Sequence, residues 1–174
     1  MADEQPALRL PGGFDEAFDG LFRQAFLVAR RILTSDAAAE DVAAEALTRA
    51  YVHWRKIADQ PWREGWVVRV ATNLSIDVAR KGNRIADHAP DEGTVDDDDV
   101  AIRLALVEAL SRLPRRQREA VALRHLAGLS EQQVADALRV STGSVKTHLH
   151  RGLASLRGRL ADPDLFEPAG AVDG

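Results

Sequence analysis

From Phe14 to Leu160 apolar residues return at steps of three and four, and no stretch alternates apolar with polar residues between turns as a half-buried strand would. This periodicity confines the chain to helices and predicts an all-α fold. Phe14, Phe18, Phe22 and Phe26, with Leu21, Ala29 and Leu33, form a first apolar stripe. A second helix is expected after Thr34 and Ser35, which offer an N-cap. Running to Trp54, it buries Val42, Ala43, Ala46, Leu47, Ala50 and Trp54 and presents Asp41, Glu45, Thr48 and Val52 on its other face. A third, from Arg63 to Lys81, buries Trp66, Val67, Val70, Ala71, Leu74 and Val78, and leaves Arg69, Asn73, Ile76 and Arg80 in an outward row.

The helical pattern lapses over residues 83–99, where Pro90, Gly93 and a run of acids ending in Asp96 to Asp99 replace apolar residues. Such a segment reads as a flexible acidic linker. It divides the chain into a helical domain over 14–82, the linker over 83–99, and a second helical domain over 100–161. Each has a small core and modest stability of its own. A net charge of −4 argues against a polyanionic partner until its distribution is considered. Phe14 to Ala86 is almost balanced, whereas Ala101 to Ala161 carries eleven basic residues against four acidic ones. The absence of cysteine excludes disulfides and thiolate zinc sites. With no apolar run of membrane-spanning length and no export signal at the start, the expectation is a cytoplasmic protein without membrane insertion.

The basic half contains the most informative stretch. A helix from Val100 to Leu113 is followed by one that Pro114 opens in a favoured first-turn position, and Gly128 is suited to end it. Ser130 and Gln133 then have the spacing of a capping box. Val134, Ala135 and Leu138 face inward, Arg139 to Ser141 make a corner, and Ser141 caps a last helix with Val145, Leu149, Leu153 and Leu156 on its inner side. Steps of about 100° per residue place Gly143, Lys146, Thr147, His150 and Arg151 on the outward arc. A helix of this kind reaches base edges in the major groove of DNA, while Lys and Arg neutralise phosphates. The alternative is a helical hairpin with a solvated basic face.

These residues carry a family resemblance. The stretches Leu113-Pro-Arg-Arg-Gln-Arg, Gly128-Leu-Ser-Glu-Gln-Gln-Val-Ala-Asp-Ala-Leu and Gly143-Ser-Val-Lys-Thr-His-Leu-His-Arg-Gly resemble the C-terminal promoter-binding domain of bacterial sigma factors of the extracytoplasmic-function group. Ala39-Glu-Asp-Val-Ala-Ala-Glu-Ala-Leu is similar to that group's polymerase-binding helix. Trp66-Val-Val-Arg-Val-Ala-Thr-Asn-Leu-Ser-Ile-Asp-Val-Ala-Arg-Lys is similar to the helix that reads and opens the -10 element. Together the matching stretches span Phe14 to Leu160.

The resemblance implies a two-domain initiation factor that needs no cofactor or metal, binds core RNA polymerase and promoter DNA, and has no catalytic residues. It assigns Arg124, Ser144, Lys146, Thr147, His150 and Arg151 to the -35 element, with Arg124 approaching the backbone. Trp62, Arg69, Asn73, Arg80 and Lys81 fall to the -10 element, Asn73 as the base reader and Trp62 either supporting strand opening or packing under its loop. The loop Arg55 to Pro61 occupies the place that holds a flipped base. Asp41, Glu45 and Thr48 fall to the polymerase face. Ala44 and Leu47 replace a glutamine and an aromatic common in the group, and His150 an arginine or aromatic. Many members are restrained by an anti-sigma factor, and one is compatible with this chain.

Two other classes compete. Asp96 to Asp99 could ligate a hard cation in an enzyme, but four successive carboxylates in an irregular segment lack a fixed geometry, and His148 and His150 diverge on their helix. A helix-turn-helix regulator without sigma activity shares the Val-Lys-x-His-Leu pattern, yet usually carries an alternating strand and helix receiver that this chain lacks. Within the sigma reading, the acids from Asp87 to Asp99 are expected to imitate nucleic-acid charge inside the polymerase channel.

Overall fold

The computed structural model describes residues 13–86 and 97–160, and every element in them is helical. Helix α1 spans Phe14–Ile32, α2 Asp36–Ile57 and α3 Arg63–Ala86. Helix α4 spans Asp97–Ser111 and α5 Arg115–Val121, which passes into a π-helical turn over Ala122–Leu126. Helices α6 (Glu131–Leu138) and α7 (Thr142–Leu160) complete the described residues. The all-α expectation holds. Because α3 continues to Ala86 and α4 begins at Asp97, helix reaches into both ends of the stretch read as a linker; residues 87–96 lie outside the described residues.

Local chemistry sets the boundaries. Gly13 adopts a left-handed conformation ahead of α1, whose first turn carries Asp15 and Glu16 and whose last carries Arg30 and Arg31, each sign matched to the helix dipole. Ser35 caps α2 by accepting from the Ala38 amide at 3.3 Å, as its position predicts. Pro114 is displaced by one place from expectation: it is the residue before α5, with extended backbone, and α5 starts at Arg115.

Burial on α2 follows the sequence pattern, with Val42, Ala43, Ala46, Leu47, Ala50 and Trp54 all in the core. On α1 the stripe is turned. Leu21, Ala25, Val28, Ala29 and Ile32 are buried, whereas Phe22 and Phe26 are half-buried and Phe18 is 39% exposed. The change is larger on α3. Val67, Val68, Ala71, Thr72, Ser75 and Ile76 are buried, Val78 is exposed, and the row expected to face solvent lies partly against the second half.

The cause is a second set of neighbours. Helix α3 packs on α1 and α2 on one side and on α4 and α6 on the other, so its buried arc is wider than one bundle would require. Arg31 Nη1 donates to the Leu126 carbonyl at 2.6 Å and Arg103 Nη1 to the Leu33 carbonyl at 3.4 Å, tying the halves together beyond this helix. Their apolar residues form one continuous core. Within the second half α7 crosses α5 closely: a Cβ at Gly152 would stand 2.7 Å from Val121 Cγ2.

Candidate nucleic-acid interfaces

The α6–α7 corner is built by side chains closing on their own backbone. Ser130 Oγ accepts from the Gln133 amide at 3.1 Å, and Gln133 Oε1 accepts from the Ser130 amide at 2.8 Å, completing the capping box. Arg139 ends α6 in the left-handed region at φ 55°, a conformation that turns the chain sharply. Ser141 Oγ then accepts from the Ser144 amide at 3.1 Å and starts α7. Val145, Leu149 and Leu156 anchor that helix on its inner side.

Lys146, Thr147, His150 and Arg151 are exposed together on the outer face, as expected. Their freedom differs. Thr147 donates its hydroxyl back to the Gly143 carbonyl at 3.0 Å, which leaves the oxygen free to accept. Lys146 Nζ lies 3.9 Å from Glu131 Oε2, a contact in solvent that adds little stability. His150 and Arg151 make no hydrogen bond or ion pair among the described residues. Ser144 is half-buried with its hydroxyl 2.9 Å from that of Ser141, and Arg124 Nη1 donates to the Leu129 carbonyl at 3.2 Å from within the π-helical turn. These two brace the corner while the other four face outward.

The α3 set is divided. Lys81 is exposed, and the half-buried Arg80 stands 3.7 Å from Asp77. Trp62, Arg69 and Asn73 instead meet the second half. Arg69 Nη1 donates to the Ala137 carbonyl at 3.0 Å, and Asn73 Nδ2 donates to Glu119 Oε1 at 3.3 Å. The Arg139 guanidinium stands 5.8 Å from the Trp62 ring centre. Burial pushes the Arg69 guanidinium below its ordinary value, with Glu119 opposing and Arg115 and Arg116 reinforcing that shift. An arginine keeps its proton through such a shift, so Arg69 is a partly desolvated cation. Trp66, expected in the core, is half-buried with its ring edge-on to His53 at 5.7 Å.

Glu119 is the residue that sequence reasoning missed. Its side chain is fully buried, and its carboxylate receives Arg115 Nε at 3.2 Å, Arg116 Nη1 at 3.5 Å and the Asn73 amide. A buried carboxylate without such donors would be strongly destabilising. Arg115 and Arg116, placed four and three residues before it, were the available signal. The third donor comes from the other half and leaves no mark in local sequence.

On α2, Asp41, Glu45 and Thr48 project outward in a row. Asp41 and Glu45 border an apolar hollow of about 190 Å³ floored by Val42, Leu74 and Val78. Glu45 also pairs with Arg49 at 2.8 Å, which tempers its charge. Thr48 borders a second groove of about 350 Å³ with Phe14, Phe18, Phe22, Leu47 and Tyr51. Leu47 is buried and fills the core position, whereas Ala44 is exposed beside this groove.

Comparison with known proteins places these surfaces in a family context. Residues 19–85 match the family described as sigma-70 region 2, and residues 103–156 match sigma-70 region 4. The RNA polymerase sigma-E factor of Streptomyces avermitilis is 36% identical over 151 residues, covering 84% of this chain and 82% of the relative. The ECF RNA polymerase sigma factor SigL of Mycobacterium tuberculosis is 35% identical over 136 residues, covering 72% and 76%. Among solved structures, the sigma factor RpoE bound to the anti-sigma factor NepR from Bartonella quintana has the same fold, with a TM-score of 0.52 at 19% identity, covering 88% of this chain and 99% of that one.

Proposed function

This chain belongs to the extracytoplasmic-function group of sigma-70 factors, initiation subunits of RNA polymerase, and on that premise we propose how its surfaces divide the work. The α7 face reads the -35 duplex through Lys146, Thr147, His150 and Arg151, with Ser144 and Arg124 bracing the corner. The carrying observation is that these four side chains stand exposed on one face of a capped helix-turn-helix. The α3 row of Arg69, Asn73, Arg80 and Lys81, with Trp62 just ahead of the helix, takes the melted -10 strand. An amide such as Asn73 offers a donor and an acceptor to an unstacked base, and cations follow the backbone.

Asp41, Glu45 and Thr48 meet the polymerase core, where acids rimming the apolar hollow between α2 and α3 suit a basic amphipathic partner. The factor works in the cytoplasm with the polymerase and contributes no catalytic step of its own. An anti-sigma factor is a further partner, supported by the fold shared with the NepR-bound RpoE. Co-purification with core polymerase, followed by transcription from a promoter selected by the reconstituted complex, tests the division. Specific initiation is expected; DNA binding without any core association would leave the plain regulator as the better reading.

A further inference from the structure

Arg139 ends α6 with φ 55°, and among the described residues it is the only one other than glycine whose φ is positive. In that conformation a Cβ crowds the following carbonyl oxygen, which shifts the folding equilibrium against a residue with a side chain by roughly five- to thirtyfold relative to glycine. Asparagine and aspartate recover part of this through local bonds from a short side chain, and arginine does not. The Arg139 guanidinium stands 5.8 Å from the Trp62 ring centre and makes no hydrogen bond or ion pair among the described residues. A cation–π contact at an exposed site returns about two- to fivefold. The ring is near because α6 lies close on α3, where a Cβ at Gly65 would stand 2.8 Å from Ala137 Cβ. Folding alone therefore favours glycine at this corner.

We propose that Arg139 holds a backbone phosphate of the duplex beside the -35 element, so that the corner grips the strand while α7 reads the groove. The inference rests on the reading of α7 as the major-groove helix and adds to it a residue that neither the helical pattern nor the family resemblance assigned.

Position, fixity and chemistry carry it. Arg139 lies two residues before Ser141, whose hydroxyl starts α7 by accepting from the Ser144 amide, and so at the end of the helix nearest Lys146 and Thr147. A recognition helix enters the major groove with its N-terminal residues at the bases, which brings the turn just before it to the rim where the phosphates run. The backbone there is held: the Arg139 amide donates to the Asp136 carbonyl at 3.2 Å and the Val140 amide to the Ala135 carbonyl at 3.0 Å. The side chain on this fixed backbone is exposed. A planar guanidinium meets two phosphate oxygens at once, a charge-assisted pairing that outweighs an exposed ring contact.

The test uses the factor reconstituted with core polymerase, on a duplex carrying the promoter that the parental complex selects. Phosphates flanking the -35 element are replaced one at a time by uncharged methylphosphonates. At one of these positions the parent is expected to lose about fivefold in affinity. Arg139→Asn, which tolerates left-handed backbone and carries no charge, should show that loss on the unmodified duplex and no further loss when the same phosphate is neutralised. Its salt slope should be shallower by about 1 with unchanged sequence preference, and Arg139→Lys should keep the parental slope.

Parental affinity and slope in Arg139→Asn, or a loss that adds in full at every neutralised phosphate, overturns the proposal. Arg151→Ala on the same duplex separates this failure from that of the α7 reading. If Arg151→Ala binds weakly while Arg139→Asn binds as the parent does, the corner is wrong and the α7 reading stands. If both bind as the parent does, the α7 reading fails and the corner falls with it.

Discussion

Asn73 Nδ2 donates to Glu119 Oε1 across 3.3 Å, joining α3 of the first half to α5 of the second. The bond gives Asn73 two separable roles. In the free protein Asn73→Ala leaves the buried carboxylate with its two arginines alone, and a loss of about 1 kcal/mol is expected in urea unfolding. In the polymerase complex the same variant should slow promoter opening while core affinity stays at the parental level. Abolished core binding with normal opening would show that the residue faces a different partner.

Arg151 is exposed and makes no bond among the described residues, so its whole donor set is available to DNA. Arg151→Ala should weaken promoter binding by about 1–3 kcal/mol if it reads a base, or reduce the salt slope by about 1 if it holds one phosphate. Titrations at several salt concentrations tell these apart. Unchanged affinity and slope would remove Arg151 from the interface.

Charge reversal of Asp41→Lys together with Glu45→Lys should slow association with core polymerase more than it speeds dissociation, because surface charge chiefly governs encounter. Arg49→Ala provides the complementary case. Freed from its 2.8 Å partner, Glu45 presents its full charge, and association should be equal or faster. Stopped-flow association rates decide both, and a parental rate in the folded double variant would exclude this face.

Gly152→Ala sets two effects against each other. Alanine gains about 1 kcal/mol in helix propensity, whereas crowding of the kind its methyl group makes with Val121 Cγ2 at 2.7 Å typically costs about 1–3 kcal/mol. Net destabilisation is expected in thermal unfolding, and a Val121→Ala background should recover it. A more stable single variant would mean that α5 and α7 can separate without loss.

Ser130→Ala removes the side-chain acceptor for the Gln133 amide and should cost about 1 kcal/mol. Because α6 is only eight residues long, the helix that precedes the corner should fray first. Hydrogen exchange at Val134 and Ala135 measures this, and parental protection there would show that packing alone holds the turn.

What the sequence disclosed was whatever is decided within a few residues. Ser35, Ser130, Gln133 and Ser141 cap the helices they were expected to cap, because a cap needs only its own side chain and the next turn. Val42 to Trp54 bury as patterned because α2 has one buried face. The pattern misleads on α3, where Ile76 is buried and Val78 exposed, since a second body of helices redefines inside and outside. The outward position of Lys146, Thr147, His150 and Arg151 on α7 was legible, because no other helix packs on that face. The covering of Arg69 and Asn73 was not, because it depends on Glu119 and Ala137, 46 and 68 residues away in the chain.

The contact at Gly65 sets a local cost against a long-range gain. A glycine within a helix is a local disadvantage of up to about 1 kcal/mol relative to alanine, and here its missing methyl group is what allows Ala137 to approach. Restoring even one carbon would wedge the halves apart by a fraction of an ångström, without altering any side chain assigned to promoter or polymerase. The spacing between α3 and α6 is therefore set at a position that carries no side chain of its own.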